Sequence, residues 1–172
     1  DDTLMCTSYL APLGMLEKTQ SNSIDWEVVK NLDIAASKLL WKAIERGNVF
    51  IITNAAFGWV EYSSSKFYPN TNKLLNKIKI ISARGLFEKK YPGDYKQWKA
   101  KAFIKAITDS KIDTDILTNI FCFGDSIIEI EASHKLKQIF ANGYVKTVKF
   151  KEAPQPFELI KEIKIIISQF YV

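Results

Sequence analysis

Several short stretches carry residue types that could do chemistry. Gly124-Asp125-Ser126 followed by Glu129 sets two carboxylates four residues apart. On a helix that spacing turns both to one side. Such a pair suits a hard divalent cation such as Mg2+, which takes oxygen ligands and holds on through one or two carboxylates. The same residues also spell a helix start, where an acidic side chain satisfies free backbone N–H groups and the positive end of the helix dipole. Both readings stand at this level. Thr53-Asn54 offers a hydroxyl and backbone N–H groups able to grip a phosphoryl oxygen, and equally makes an ordinary turn. Lys99, beside Trp98 on an amphipathic helix, reads first as a solvated face or a snorkelling stem, and less readily as a cation for an anionic group. Asp1-Asp2-Thr3 brings two more carboxylates and a hydroxyl, at what reads in isolation as a frayed terminus. His134, the only histidine, sits in Ser-His-Lys with no nucleophile to serve, so Ser-His or Cys-His hydrolase chemistry is not expected.

These residues need elements to hold them. Residues 24–46 place Trp26, Val29, Leu32, Ala36, Leu39, Leu40 and Ile44 at three- and four-residue steps, which predicts an amphipathic helix with Ser23 as N-cap and Gly47 as stop. Val49–Thr53 follows as an apolar, β-branched run without alternation, as in a parallel strand buried on both faces. Similar runs return at Ile78–Ser82 and Ile120–Gly124, and a weaker one at Val145–Phe150. Between them, Trp59–Phe67, Thr71–Asn76 and Tyr95–Thr108 read as helices, the last with Trp98, Ala102, Phe103 and Ile107 as its apolar stripe. A helix should follow Gly124. Pro156–Phe170 closes the chain with Phe157, Leu159, Ile160, Ile163 and Ile167 inward. Helices and strands thus alternate as in a doubly wound, Rossmann-like α/β domain with a parallel sheet. In such sheets ligands bind beyond the carboxyl ends of the strands. Thr53-Asn54, Ser82-Ala83-Arg84 and Gly124-Asp125-Ser126 all fall there.

Composition bounds the partners. The 172 residues are 47% hydrophobic and 25% charged, with seven glycines and five prolines that nowhere gather into a linker. One domain with a substantial core is expected. The net charge of +5 comes from lysines such as Lys73, Lys77, Lys79, Lys89 and Lys90, spaced singly as on a solvated face, so no nucleic-acid partner is expected. The longest apolar run, around Ile163–Ser168, is broken by lysine and too short to cross a bilayer, so no membrane span is expected. Cys6 and Cys122 lie among apolar or small residues, as in a reduced intracellular, most simply cytoplasmic, protein. The opening Asp1-Asp2 carries neither a basic region nor an apolar signal core, so targeting is not readable from it.

Taken in order, the motifs resemble the haloacid dehalogenase (HAD) superfamily of phosphatases. Its first motif, Asp-x-Asp-x-Thr, is matched in its last three places by Asp1-Asp2-Thr3. Its second, a hydrophobic strand ending in Thr or Ser, is matched by VFIIT with Thr53. Its helical lysine is matched best by Lys99, with Lys96 as runner-up, and its Gly-Asp-x-x-x-Asp/Glu by Gly124 to Glu129. Ile52–Glu61, Ile81–Arg84 and Pro92–Lys99 also resemble a HAD-like subgroup of protists, fungi and plants.

The resemblance implies a Mg2+-dependent phosphomonoester hydrolase. Asp1 would be its general acid and base and would bind Mg2+ through its backbone carbonyl. Thr53, with the Asn54 backbone, would hold the phosphoryl group, and Lys99 would neutralise its charge. Asp125 would ligate Mg2+ directly, and Glu129 directly or through water. The family's nucleophile stands two residues before Asp1, at the end of a central strand, so a longer natural chain is expected. Little sequence is available for a cap at either usual insertion point, and an open site favours a bulky substrate such as a phosphoprotein. The rival reading is a catalytically inactive HAD-like domain kept as a structural or binding subunit of a larger assembly, presenting Trp59, Tyr62, Phe67 and Tyr68. A nucleotide-binding module is disfavoured by the lack of a Gly-rich phosphate loop.

Overall fold

Alternating sequence patterns become alternating elements. The computed structural model describes residues 1–14, 23–110, 119–140 and 143–170. Along them run α1 (Thr7–Leu10), α2 (Trp26–Ile44), β1 (Phe50–Thr53), α3 (Trp59–Phe67), α4 (Pro69–Asn72) and β2 (Lys79–Ser82). Then come α5 (Ala83–Phe87), α6 (Tyr95–Asp109), β3 (Asn119–Gly124), α7 (Ile127–Leu136), β4 (Tyr144–Lys149) and α8 (Pro156–Gln169). Short 3-10 turns stand at Ala11–Leu13 and Leu75–Lys77. The expected helix over Thr71–Asn76 is therefore split, because Pro69 can start a helix and Leu75 opens a tighter turn. The short helices α1 and α5 carry too few residues for a periodic signal. No helix of the described residues is long and apolar enough to cross a membrane.

These residues gather into two compact units, each assembled from separate stretches of chain. The first comprises Asp1–Val49, Val60–Lys79 and Lys151–Val172. Here α2 packs on α8 and on α4. The N-cap of α2 is Asp25 rather than Ser23, because its carboxylate accepts from the N–H groups of Glu27 and Val28 and thereby satisfies two orphan donors. Gly47 closes the last turn, its N–H donating to the Ala43 carbonyl. Val29, Leu32, Ala36, Leu39 and Leu40 are buried as the spacing predicts. Trp26 is not, and instead stacks at the surface on Phe67, with ring centroids 5.8 Å apart. On α8, Leu159 and Ile163 are fully buried, but Phe157 is 70% exposed and faces outward. It sits in the first turn beside the Gln155–Glu158 capping box, where the apolar stripe has only begun.

The second unit comprises Phe50–Trp59 and Ile80–Phe150. β1 pairs with β2, and β3 pairs in parallel with β4, with Ile120 opposite Val145 and Cys122 opposite Thr147. The four strands therefore form two two-stranded sheets, not one hydrogen-bonded sheet. α6 separates two apolar clusters. Ala100, Phe103 and Ile107 meet Cys122, Ala132 and Leu136 on one flank, while Trp98, Ala102 and Ala106 meet Ile81 and Ala83 on the other. Ile52 of β1 packs against both. The expectation of strands buried on both faces is corrected here. Phe50, Ile51 and Ile52 are half-buried and Phe121 is exposed; the face of the β3–β4 pair that carries Phe121 and Tyr144 stays open to solvent at those two positions.

Candidate functional site

The carboxyl ends of β1 and β3 bring several of the expected residues together within the second unit. Lys99, in the second turn of α6 and turned inward, is only 4% exposed. Its Nζ lies 3.0 Å from Oε1 of Glu129 and 3.0 Å from the carbonyl oxygen of Ile52, the residue before Thr53. Lys96, one turn earlier, lies out in solvent and pairs with Glu131 at 3.3 Å. The buried cation is thus Lys99, and a charge so placed requires the partners it has.

Glu129 is held from its other side as well. Its Oε2 accepts from the Ser126 hydroxyl and from the Ser126 N–H at 3.2 Å, while Ser126 Oγ accepts from Ile128 N–H. This capping box starts α7 and confirms the helix-start reading of the Gly-Asp-Ser turn, with Ser126 rather than Asp125 as the N-cap. Burial alone pushes the Glu129 carboxyl up, but the Lys99 ammonium and the hydrogen bonds from Ser126 and Lys99 outweigh it and hold the carboxyl below the ordinary glutamate range. The side chain needs the space above Gly124, where an added Cβ would stand 2.4 Å from the Glu129 Cβ.

At the end of β1, Thr53 is buried and its Oγ1 accepts from the N–H of Ala55 at 3.0 Å. Oδ1 of Asn54 is buried with no hydrogen-bond partner among the described residues, an acceptor left for a donor to meet. Turning the amide over would present Nδ2 there instead, a donor suited to a phosphoryl oxygen. Ser82 ties this loop to the next strand end, donating to the Ala55 carbonyl at 2.6 Å and accepting from Gly85 N–H at 2.9 Å.

Asp125 lies half-buried at the turn after β3. Among the described residues no three His, Cys, Asp or Glu side chains gather as a metal cluster. Asp125, with Glu129 bonded through both oxygens close by in sequence, fits a cation that keeps most of its waters, as Mg2+ does. Glu129 would then reach it through water. Asp1 belongs to the first unit and is exposed, its carbonyl accepting from Thr3 N–H. Asp2 is no frayed end, since its buried carboxylate accepts from the N–H and hydroxyl of Ser8.

Sequence reasoning missed Lys149. Its ammonium donates to the carbonyls of Asp125 at 3.0 Å and Phe150 at 3.3 Å, bracing the turn that carries Asp125. Its place at the carboxyl end of β4 was the available signal. Two of the aromatic residues expected at the surface, Phe67 and Tyr68, are buried, whereas Tyr62 is exposed. No family model, no curated protein and no solved structure matches this chain.

Proposed function

We propose that this chain is the core of a HAD-like phosphomonoester hydrolase that works with Mg2+ through an aspartyl-phosphate, its nucleophile being an aspartate two residues ahead of Asp1. The observation that carries this reading is Lys99, a buried ammonium held between the Ile52 carbonyl and Glu129, at the strand end that also bears Thr53. An apolar residue would serve stability as well at such a place, so a cation there speaks for a use of its charge. In this reading the nucleophilic carboxylate attacks phosphorus and the bond to the alcohol oxygen breaks as that oxygen takes a proton from the family's general acid. Water, passing a proton to the conjugate base of that acid, then releases phosphate and restores the carboxylate. Thr53 and the Asn54 backbone orient the phosphoryl oxygens, and Lys99 offsets the charge on them and on the nucleophile. Mg2+, held by Asp125 and through water by Glu129, would neutralise phosphoryl charge.

The β1–β2 and β3–β4 pairs are, on this view, the flanks of one doubly wound sheet whose middle strand precedes Asp1. Ile52, packed against both apolar clusters, supports that arrangement. Between β2 and α6 the described residues hold only the five-residue helix α5, which supports a site open on that side to a phosphoprotein. Two free, buried thiols fit a reducing compartment, the cytoplasm first.

The test is hydrolysis of p-nitrophenyl phosphate by the full natural chain with Mg2+ and with EDTA. Turnover that requires Mg2+, and that Asp125→Asn abolishes while the far-UV spectrum stays native, is the expected result. A full chain without turnover, or an Asp125→Asn variant as active as the parent, overturns the reading.

One observation favours the second reading, an inactive subunit of an assembly. The register places Phe121 and Phe123 on the same face of their sheet as Tyr144 and Val148, and Phe121 and Tyr144 are exposed. Parallel sheets are ordinarily covered on both faces.

A further inference from the structure

The mouth of this site has a side that the phosphate chemistry does not use. Phe57, in the loop that follows Thr53, is 66% exposed, yet it is not loosely placed. Its ring lies against the backbone of Gly85, where an added Cβ would come within 2.2 Å of Cε2. The same loop is tied to that helix start by Ser82, which bonds both Ala55 and Gly85. Next to Gly85 in α5 stands Arg84, whose surface pair with Glu88 at 3.0 Å is of the weak, exchangeable kind. Tyr95, the first residue of α6, is 56% exposed and buttressed edge-on by Trp98 at 4.7 Å. It stands four residues before Lys99 and so on the same helix face. Two fixed, exposed rings and a guanidinium therefore follow the carboxyl ends of β1 and β2 and lead to the buried lysine.

We propose that Phe57, Arg84 and Tyr95 form the recognition rim of the site and that its substrate is a tyrosine-phosphorylated protein segment. This rests on the phosphatase reading above and names its substrate class. The rings stack on the aryl group that carries the phosphate. Arg84 exchanges Glu88 for an acidic residue flanking the phosphotyrosine, bidentate geometry being what a guanidinium offers a carboxylate. The rim is open, whereas sites for small ligands enclose most of the ligand surface, so a segment of protein fits it better than a free aryl phosphate.

The experiment compares kcat/KM of the full natural chain on two peptides with the same acidic flanks, one carrying phosphotyrosine and one phosphoserine. A preference for phosphotyrosine of about three- to tenfold is expected from stacking, with the ratio falling toward one in Phe57→Ala and in Tyr95→Ala. Equal kcat/KM on the two peptides, or a preference that both variants retain, overturns the inference while the phosphatase reading survives. Should the chain hydrolyse neither peptide, the phosphatase reading fails and fluorescence anisotropy of the labelled phosphotyrosyl peptide decides the rim. Saturable binding weakened by Phe57→Ala upholds it, and no binding overturns it.

Discussion

Lys99 and Glu129 illustrate how much one ion pair can depend on its surroundings. Their contact at 3.0 Å is largely shielded from water, and the Ser126 hydroxyl and N–H complete the carboxylate shell. Removing one partner leaves the other charge buried and uncompensated. Glu129→Gln should therefore cost about 3 kcal/mol, within the range for breaking buried pairs, read as a lower urea midpoint at pH 7. The pH dependence follows from the depressed carboxyl. A group whose folded value lies below its unfolded one stabilises the fold above the ordinary glutamate value of about 4.3 and loses that contribution as pH falls through the folded value. Parent and Glu129→Gln stabilities should thus converge as the pH is taken from 5 toward 2, and parallel curves over that range would contradict the assignment.

At the scale of elements, two tight fits decide how helices begin. The start of α7 depends on Gly124, because any Cβ there meets the Glu129 side chain at 2.4 Å. Gly124→Ala should cost about 1–3 kcal/mol by overpacking, and an unaltered melting temperature would show that the turn relaxes freely. The four-residue α4 is started from a distance. Asp33 of α2, 1% exposed, accepts from the N–H and Nδ2 of Asn70 and from Thr71 N–H at 2.8–2.9 Å. Asp33→Ala leaves those donors without their acceptor and should cost about 2–4 kcal/mol, each buried unsatisfied group being worth about 1–3, measured by chemical denaturation. The helix of Asp33 was legible from its three- and four-residue spacing; its capping role was not, since its partners lie 37 and 38 residues on. The same holds for Lys99. The sequence offered Lys96 and Lys99 on one helix, and only the position of α6 against the ends of β1 and β3 tells the buried one from the solvated one.

Across the whole molecule, each unit holds one thiol. Cys6 in the first donates to the Pro154 carbonyl, and Cys122 in the second lies in the α6–α7 cluster. Burial pushes both up to about 11, Asp2 adding to the effect at Cys6 and Ser133 partly opposing it at Cys122. Neither should react with a thiol reagent at pH 8 in the folded chain, and both should react once denaturant opens the units, as mass spectrometry would report. Rapid labelling of either in native buffer would place that thiol at the surface. What the sequence by itself determined was local. Helical spacing, β-branched runs and a Gly-Asp-Ser turn are each written within a few neighbouring residues, so the order of the strands and longer helices, the strand ends before Thr53-Asn54 and Asp125, and the helix that bears Glu129 could be read directly. The tertiary structure decided what depends on distant segments meeting. It paired the strands two by two and turned Phe157 and Trp26 outward while burying Phe67 and Tyr68. It also set Lys99 and Lys149 against carbonyls from other elements. Burial and charge partnership are properties of contacts across the chain, and no single stretch of sequence contains them.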